Sequence, residues 1–282
     1  MKAQSLSINL ASGCQAKCPF CISSCTWKTK YKENTQLMAR LGAALRYVKY
    51  HGIDTVLITS FGEPTLSPAL RLVIRAVGQE SIPIIELQTN GLRLCECQEE
   101  LLDYSMDGLH TLAISICSPD AARSAEIMKL GEYRYWDLID VAVRFGLMVR
   151  ISLNLIKGEI SGYDEKWLRK LKEHGVSQLT FRELGLPDRI EDTPKAEKKK
   201  KWIEEHALPE EDVFALELAI RDNGTFQRKL FYGPEVYDVE GLSVVLATCM
   251  SHGTDEEEIR SLILQPDGRV YHNWDYEGSI LF

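Results

Sequence analysis

The stretch Gly13-Cys14-Gln15-Ala16-Lys17-Cys18-Pro19-Phe20-Cys21, called the cysteine loop below, decides how the rest of the chain is interpreted. It follows an apolar run at residues 6–10 that predicts a buried strand. Short spacings between cysteines let one loop surround a metal centre, and thiolates suit zinc or iron–sulfur clusters. Closed zinc sites usually need four ligands, often as two separated cysteine pairs, and no second CxxC or HxxxH pair follows in the sequence. Three thiolates on a four-iron cluster would leave one iron open to bind another molecule.

A second motif follows the next predicted strand. Residues 54–60 are a largely apolar run, and Phe61-Gly62-Glu63-Pro64 comes directly after it. Glycine lets the backbone approach a neighbouring group closely. The Glu63 carboxylate and nearby backbone carbonyls can accept hydrogen bonds from an ammonium group. Taken alone, the tetrapeptide is more typical of an ordinary turn between a strand and a helix.

Together the two motifs resemble those of the radical S-adenosylmethionine (radical SAM) superfamily. The CxxxCxxC spacing, with Phe20 before the last cysteine, is similar to the family's cluster motif. The later motif is similar to the family's GGEP sequence, with Phe61 in place of the first glycine. The resemblance implies a 4Fe-4S cluster whose open iron binds the amino and carboxylate groups of SAM. It assigns the cluster to Cys14, Cys18 and Cys21 and the amino end of SAM to Gly62, Glu63 and Pro64.

Apolar runs and helix-like segments alternate through six repeats to about residue 185. This alternation predicts an α/β fold with a parallel sheet, and the resemblance implies a partial (β/α)6 TIM-like barrel. From residue 224 the sequence changes to strands and turns, with Pro266-Asp267-Gly268 as a hairpin turn. We therefore expect a radical SAM partial barrel at residues 1–190. A helical linker and a small C-terminal antiparallel β cap are expected at residues 191–282.

Polar residues at the carboxyl ends of later strands extend the expected site, because the chemistry of α/β barrels lies at that end. The resemblance implies that SAM is bound by Thr89, Asn90, Ser115, Ser118 and Asn154, and Arg182 at the mouth of the sixth strand is a further candidate for binding the cofactor. Two of these assignments have alternatives. Thr89 and Asn90 precede Gly91 and fit a plain Asn-Gly turn equally well. Arg182 can clamp a carboxylate or phosphate, or it can form an internal ion pair.

The roles of the five cysteines outside the cysteine loop are less clearly indicated by the sequence. Cys117, at the end of the fourth strand, can donate a hydrogen atom to a substrate radical, as in some radical SAM epimerases and lyases, or it can be a small buried side chain. Cys25 as a fourth ligand would fill the position that SAM needs, so we expect it not to bind the cluster. We expect Cys95 and Cys97 to be surface thiols, since nothing near them completes a metal site. Cys249 is the only cysteine of the tail, so no second cluster is expected there, unlike in the molybdenum-cofactor cyclase that the barrel otherwise resembles.

Charge and composition limit the classes of partner and the cellular location that we expect for the protein. The chain has 33 Lys and Arg residues against 41 Asp and Glu, a net charge of −8, so general attraction to nucleic acid is not expected. The basic run at residues 195–201 is interpreted as a solvated helix face, with a phosphorylated or RNA substrate as the alternative. The sequence has no apolar run of membrane-spanning length and no signal-peptide pattern, and its eight cysteines resemble cytosolic thiols. We expect a cytoplasmic protein.

The principal hypothesis is a radical SAM enzyme. The resemblance implies that the cluster receives an electron from a flavodoxin- or ferredoxin-like donor and cleaves SAM to a 5′-deoxyadenosyl radical. That radical would then abstract hydrogen from a small-molecule or nucleotide substrate. One alternative is radical SAM modification of a peptide, protein or RNA. Another is a non-enzymatic scaffold that binds zinc through the same cysteines.

Overall fold

The computed structural model describes residues 2–25, 31–160, 162–186, 190–230, 233–247, 258–274 and 276–282. Six strands alternate with helices in the first two thirds of the chain. The strands are β1 Lys2–Leu10, β2 Thr55–Ser60, β3 Ile84–Thr89, β4 Thr111–Ile116, β5 Met148–Leu155 and β6 Val176–Glu183. The helices are α1 Thr35–Tyr50, α2 Leu70–Gln79, α3 Leu92–Glu96, α4 Glu99–Met106, α5 Ala121–Met128, α6 Tyr135–Arg144 and α7 Glu165–Glu173. The α/β prediction is confirmed.

The remaining elements begin with two helices and end in strands. They are α8 Pro194–His206, α9 Glu210–Asn223, β7 Thr225–Lys229, β8 Glu235–Val239, β9 Leu242–Ala247, β10 Glu258–Leu264 and β11 Val270–Tyr271. The antiparallel pairing predicted for the tail is confirmed: β7 pairs with β8, β8 with β9, and β10 with β11 across the predicted Pro266-Asp267-Gly268 turn. Cys249 and Thr248, the last residue of a predicted tail strand, lie outside the described residues.

All the strands of the described residues form one sheet in the order β11-β10-β1-β2-β3-β4-β5-β6-β9-β8-β7. Strands β1 to β6 are parallel, as the partial barrel requires. Two tail strands join the same parallel sheet, β10 beside β1 and β9 beside β6. The tail therefore extends the barrel at both edges in addition to forming antiparallel pairs. The division at residue 190 stays a prediction, and the sheet is continuous across it.

The sheet has an apolar face and a polar face, because successive side chains of a strand point in opposite directions. On β1, Leu6, Ile8 and Leu10 are fully buried in the core that the sheet shares with the helices. The alternate residue Asn9 donates from Nδ2 to Oε1 of Gln265 on the other side, 3.2 Å away. The loops that follow the parallel strands converge at the carboxyl ends of those strands.

Several helix starts explain why the chain folds locally as it does. Asp120 begins α5 by accepting a hydrogen bond from the backbone N–H of Arg123 at 2.7 Å, and Asp164 begins α7 in the same way. Thr193 accepts from the backbone N–H of Ala196, with Pro194 at the first position of α8. Within the described residues, no helix is both long and apolar enough to cross a membrane.

Candidate active site

A cavity of about 350 Å³ lies at the carboxyl ends of the barrel strands. Most of the residues singled out in the sequence line it: Cys14, Cys18, Cys21, Gly62, Glu63, Pro64, Thr89, Asn90, Ser115, Asn154 and Arg182. These residues come from six different strand ends, so the fold brings together motifs that are far apart in the sequence. Their individual roles stay predictions. The cavity volume is within the range of about 300–1,000 Å³ typical of ligand pockets.

The cysteine loop is fixed at its start by direct backbone contact with the Gly-Glu-Pro turn. The N–H of Glu63 donates to the carbonyl of Gly13 at 2.8 Å, and the Ser12 hydroxyl donates to the carbonyl of Glu63 at 2.8 Å. Ser60 accepts a hydrogen bond from the Gly62 N–H at 2.8 Å and also contacts the Ser12 hydroxyl. The two predicted motifs are therefore parts of one hydrogen-bonded unit.

Gly62 is required by this close approach. A Cβ at position 62 would lie 2.2 Å from the carbonyl oxygen of Gly13 and 2.5 Å from that of Ser12. A Cβ at Gly13 would meet no atom within 4 Å. The sequence predicted that Gly62 admits a close approach of the backbone, and the group that approaches is the start of the cysteine loop.

Glu63 joins the same turn to the end of β3. Its Oε1 accepts from the Thr65 N–H at 3.1 Å, from the Thr65 hydroxyl at 2.8 Å and from the Thr89 hydroxyl. Its Oε2 accepts from the Asn90 N–H at 2.8 Å. Burial raises the pKa of Glu63 overall, although these four hydrogen bonds act to lower it. All four partners donate to the carboxyl group, so they oppose the effect of burial.

Asn90 extends the network to the cysteine loop. Its Oδ1 accepts from the Leu92 N–H at 3.0 Å and from Nε2 of Gln15 at 3.3 Å, and its Nδ2 approaches the Cys14 sulfur at 3.9 Å. The following Gly91 has a φ of +76°, which favours glycine. The sequence left two interpretations open for this segment, and both describe it: it is a tight turn, and it lines the cavity.

The three thiols of the loop form a donor set that suits an iron–sulfur cluster. Burial, together with the charges of Cys21 and Cys14, raises the pKa of Cys18 to about 12. The three sulfurs are therefore near enough to interact electrostatically, and metal binding has to displace their protons. Soft thiolates at one wall of a cavity fit a 4Fe-4S cluster by their chemistry. In the described part of the chain, no three His, Cys, Asp or Glu side chains are arranged to hold a single metal ion.

Two predicted residues are not among those that line the cavity. Cys117 is fully buried, receives a contact from Nδ2 of Asn154 at 3.8 Å and packs in a small apolar cluster with Met128 and Ile156. Burial raises the pKa of its thiol. Ser118 is also buried, and its hydroxyl accepts from the Asp120 N–H at 3.3 Å in the turn that leads into α5.

The other predicted cysteines are placed as follows. Cys25 is buried, and its sulfur lies 3.8 Å from the Cys21 carbonyl. The expectation of a surface thiol is wrong for Cys95, which is 5% exposed because its face of the short helix α3 packs into the core. Burial raises the pKa of Cys95 to about 11. Cys97 is half-buried.

Sequence reasoning missed the part that α8 plays in the site. Lys199 donates from Nζ to the carbonyl oxygen of Cys18 at 2.8 Å, and the ring of Trp202 lies 5.7 Å from that of Phe20. The interpretation of residues 195–201 as a solvated face is therefore wrong for Lys199. The only signal in the sequence is the helical spacing of Lys199 and Trp202, which places them on one side of α8.

Further lining residues were also not predicted, among them Thr59, Gln88, Glu183 and Leu184. Glu183 follows Arg182 at the end of β6. Burial raises the pKa of Glu183, and the charges of Glu210 and Glu217 raise it further. The cavity lining at the end of β6 therefore carries ionisable groups of both signs, Arg182 and Glu183, which suit a polar ligand.

Comparisons with known proteins agree with this geometry. The sequence model of the Radical SAM superfamily matches residues 8–196. The crystal structure of Streptococcus suis SuiB bound to S-adenosylmethionine superposes with a TM-score of 0.62 at 14% identity, covering 98% of this chain and 61% of SuiB. SuiB bound to its precursor peptide SuiA gives a TM-score of 0.60 at 14% identity, over 96% and 60% of the two chains. This chain thus spans about three fifths of the length of SuiB, and the likeness concerns the fold. No curated protein matches the chain.

Proposed function

This chain belongs to the radical SAM superfamily, whose members are enzymes that use a 4Fe-4S cluster and SAM, and we propose that its cavity holds both. In this proposal Cys14, Cys18 and Cys21 ligate the cluster, and the cavity beside them takes SAM. The observation that carries the proposal is the hydrogen-bonded unit of the cysteine loop and the Gly-Glu-Pro turn at one wall of the cavity.

When bound, the cluster and SAM together supply a 5′-deoxyadenosyl radical that abstracts a hydrogen atom from the substrate. The residues of the chain position these groups. Oε1 of Glu63 accepts three hydrogen bonds from the protein and so anchors the turn. Oε2 accepts one, from Asn90 within the described residues, and therefore retains a lone pair for the ammonium group of SAM.

The strand ends opposite the cysteines are proposed to hold the rest of SAM. Ser115 on β4 and Asn154 on β5 line the cavity, and each offers hydrogen-bonding groups suited to a ribose or an adenine edge. Asn154 is oriented by its own contact from Nδ2 to the carbonyl of Ile116 at 3.3 Å. Arg182 at the end of β6 is suited to a carboxylate.

We infer that the substrate is a small molecule or a nucleotide, because the cavity is compact and has to hold SAM as well. A peptide substrate is the second candidate. SuiB, which shares the fold over almost the whole of this chain, has been solved with its precursor peptide SuiA. A stimulation assay distinguishes the two candidates. Small molecules and synthetic peptides are compared for their ability to accelerate SAM cleavage, and the class that accelerates it contains the substrate.

Anaerobic reconstitution tests the proposal itself. We expect a brown protein with about four iron and four sulfide ions per chain that releases 5′-deoxyadenosine from SAM after reduction. Serine at position 14, 18 or 21 should abolish both iron binding and SAM cleavage, whereas Cys97→Ser is the matched control and should retain both. A colourless protein with one zinc per chain would instead support the scaffold alternative.

A further inference from the structure

The charge of helix α8 contrasts with that of the whole chain. The chain has a net charge of −8. Residues 194–201 of α8 contain five lysines, at positions 195, 198, 199, 200 and 201, against the single acidic residue Glu197. Such a local excess of positive charge on an acidic protein raises the local concentration of anionic partners and their rate of association.

This helix packs directly against the cysteine loop. Lys199 donates to the Cys18 carbonyl at 2.8 Å, and Trp202 contacts the ring of Phe20. The segment after the last loop cysteine is also tied to the residues before α8, because the N–H of Glu191 donates to the carbonyl of Cys25 at 2.9 Å. The positive charge therefore lies beside the loop that carries the proposed cluster ligands.

Helical spacing identifies the lysines that surround this contact. Lys195 precedes Lys199 by four residues, and Lys198 precedes Trp202 by four, so each lies one turn from a residue that contacts the loop. Both side chains are exposed. By contrast, Lys201 forms an ion pair with Glu205 at 3.8 Å and lies farther round the helix.

Two more exposed lysines belong to the same region. Lys17 is part of the cysteine loop, and its N–H donates to the Met128 carbonyl at 2.9 Å, which brings the neighbouring Lys129 to the loop. We call Lys17, Lys129, Lys195 and Lys198 the lysine rim. Within the described ranges, no member of the rim forms an ion pair.

Two acidic side chains close to the rim in sequence are engaged with arginines. Glu126 on α5 contacts Arg123 at 2.6 Å, and Glu132 contacts Arg134 at 3.6 Å. Glu197, between Lys195 and Lys198, is exposed and is not engaged in this way, but it stands against the five lysines of residues 194–201, so the local charge stays positive and available to a partner. Cys14 in the same loop lines the cavity, and Lys17 follows it by three residues, so the rim and the proposed cluster site share one short loop.

We propose that the lysine rim is the docking surface for a small acidic electron-transfer protein that carries a flavin or an iron–sulfur group. The proposal rests on the proposed function, which needs one electron for each SAM cleavage. With a flavodoxin as donor, the anionic flavin hydroquinone loses one electron and becomes the neutral semiquinone, and the oxidised cluster gains that electron. Complementary charge accelerates the encounter and orients the donor over the loop.

The test compares two double variants with the same change in charge. Lys195→Glu with Lys198→Glu reverses two rim charges, and Lys166→Glu with Lys229→Glu reverses two exposed charges on α7 and β7. Each pair takes the net charge from −8 to −12, since each substitution subtracts two. Oxidation of flavodoxin hydroquinone by the cluster-loaded protein is followed by stopped-flow absorbance at low and high salt, and SAM cleavage is measured in parallel with dithionite as reductant.

We expect the rim variant to slow flavodoxin oxidation about tenfold or more at low salt, with a smaller effect at high salt. The control pair should stay within about twofold of the wild type, and dithionite-driven SAM cleavage should be equal in all three proteins. Equal flavodoxin rates for both pairs would overturn the proposal. So would loss of binding to mixed tRNA by the rim variant with an unchanged flavodoxin rate. If the wild type fails to cleave SAM with dithionite, the proposed function is wrong. The flavodoxin oxidation rates of the two double variants would still show whether the lysine rim is the docking surface.

Discussion

Replacing Gly62 with alanine tests the central structural claim, that the Gly-Glu-Pro turn fixes the start of the cysteine loop. The added Cβ would lie 2.2 Å from the carbonyl oxygen of Gly13, 2.5 Å from that of Ser12 and 2.6 Å from the carbonyl carbon of Gly13. These are backbone atoms, so no side-chain rotation can relieve the contact. The loop and the turn have to separate.

The size of the effect follows from these distances. Ordinary van der Waals contact begins at 3.4 Å, so the separation has to increase by about 1 Å. Overpacking of this kind costs about 1–3 kcal/mol. The displacement also weakens the hydrogen bonds from Glu63 to Gly13 and from Ser12 to Glu63, which contribute about 1 kcal/mol each. The total of about 3–5 kcal/mol is less than the stability of many domains, so Gly62→Ala should fold with a displaced loop.

The assay is anaerobic reconstitution followed by SAM cleavage, with Gly13→Ala as the matched control. A displacement of about 1 Å in a catalytic group can cost about 100-fold in rate, so we expect Gly62→Ala to lose at least that factor and to bind iron incompletely. Gly13→Ala should behave as the wild type, because its Cβ meets no atom within 4 Å. Wild-type iron content and cleavage rate in Gly62→Ala would refute the reasoning, as would equal damage in the control.

Three further predictions concern single side chains. Glu63→Gln should lower the free energy of unfolding by about 2–4 kcal/mol in urea titrations, because an amide cannot accept all four hydrogen bonds that the buried carboxylate accepts. Asp107→Asn should cost about 1 kcal/mol at neutral pH, since Asp107 pairs with two half-exposed arginines of α2. Although burial acts to raise the pKa of Asp107, the two arginines lower it overall. The stabilisation is therefore complete above the unfolded pKa of about 4 and is lost as the pH falls through the lower folded pKa, which urea unfolding across that range would measure. Lys199→Met removes the donor to the Cys18 carbonyl, about 1 kcal/mol, and should release iron about fivefold faster in air, as measured by chelator absorbance.

Each of these predictions has an outcome that contradicts it. A Glu63→Gln variant as stable as the wild type would mean that the carboxylate does not hold the turn to β3. A stability difference for Asp107→Asn that persists in acid would assign the effect to something other than its charge. For Lys199, the neighbouring substitution Lys200→Met is the control, and equal rates of iron release in both variants would contradict a specific role of Lys199 at the loop.

The parts of the site that the sequence predicted are local motifs. Three cysteines on one short loop, or glycine and glutamate at the end of a strand, carry their chemistry within a few residues, so no knowledge of packing is needed. The strands β1 to β6 were predictable for a similar reason, since apolar runs mark their fully buried faces. Most of the predicted polar residues at the strand ends also line the cavity, because parallel strands direct their carboxyl ends to the same edge.

The parts that the sequence did not predict depend on distant pairing. Lys199 contacts a carbonyl that lies 181 residues earlier in the chain, and Ser5 contacts Ser261 across a separation of 256 residues. Neither partner can be deduced from a local pattern. The parallel addition of β9 and β10 was missed because the strong turn signals around them favour antiparallel pairing only. Ser118 stands at a strand end like its neighbours, but its hydroxyl serves the turn into α5.

The cysteine loop is held by four elements that are remote from one another in the chain. Its start contacts the turn after β2 through Gly13, and its middle contacts the turn after β3 through Gln15 and the end of α5 through the N–H of Lys17. The carbonyl of Cys18 contacts α8. Each contact alone contributes about 1 kcal/mol, which is too little to order a loop whose backbone entropy costs about 1–2 kcal/mol for each residue. Together with the loop's attachment to β1, the contacts act at separate points and leave no long free segment between them. The loop therefore acquires its position only when the barrel and the tail helix are both folded, and the three thiols owe their placement to the whole chain rather than to the motif itself.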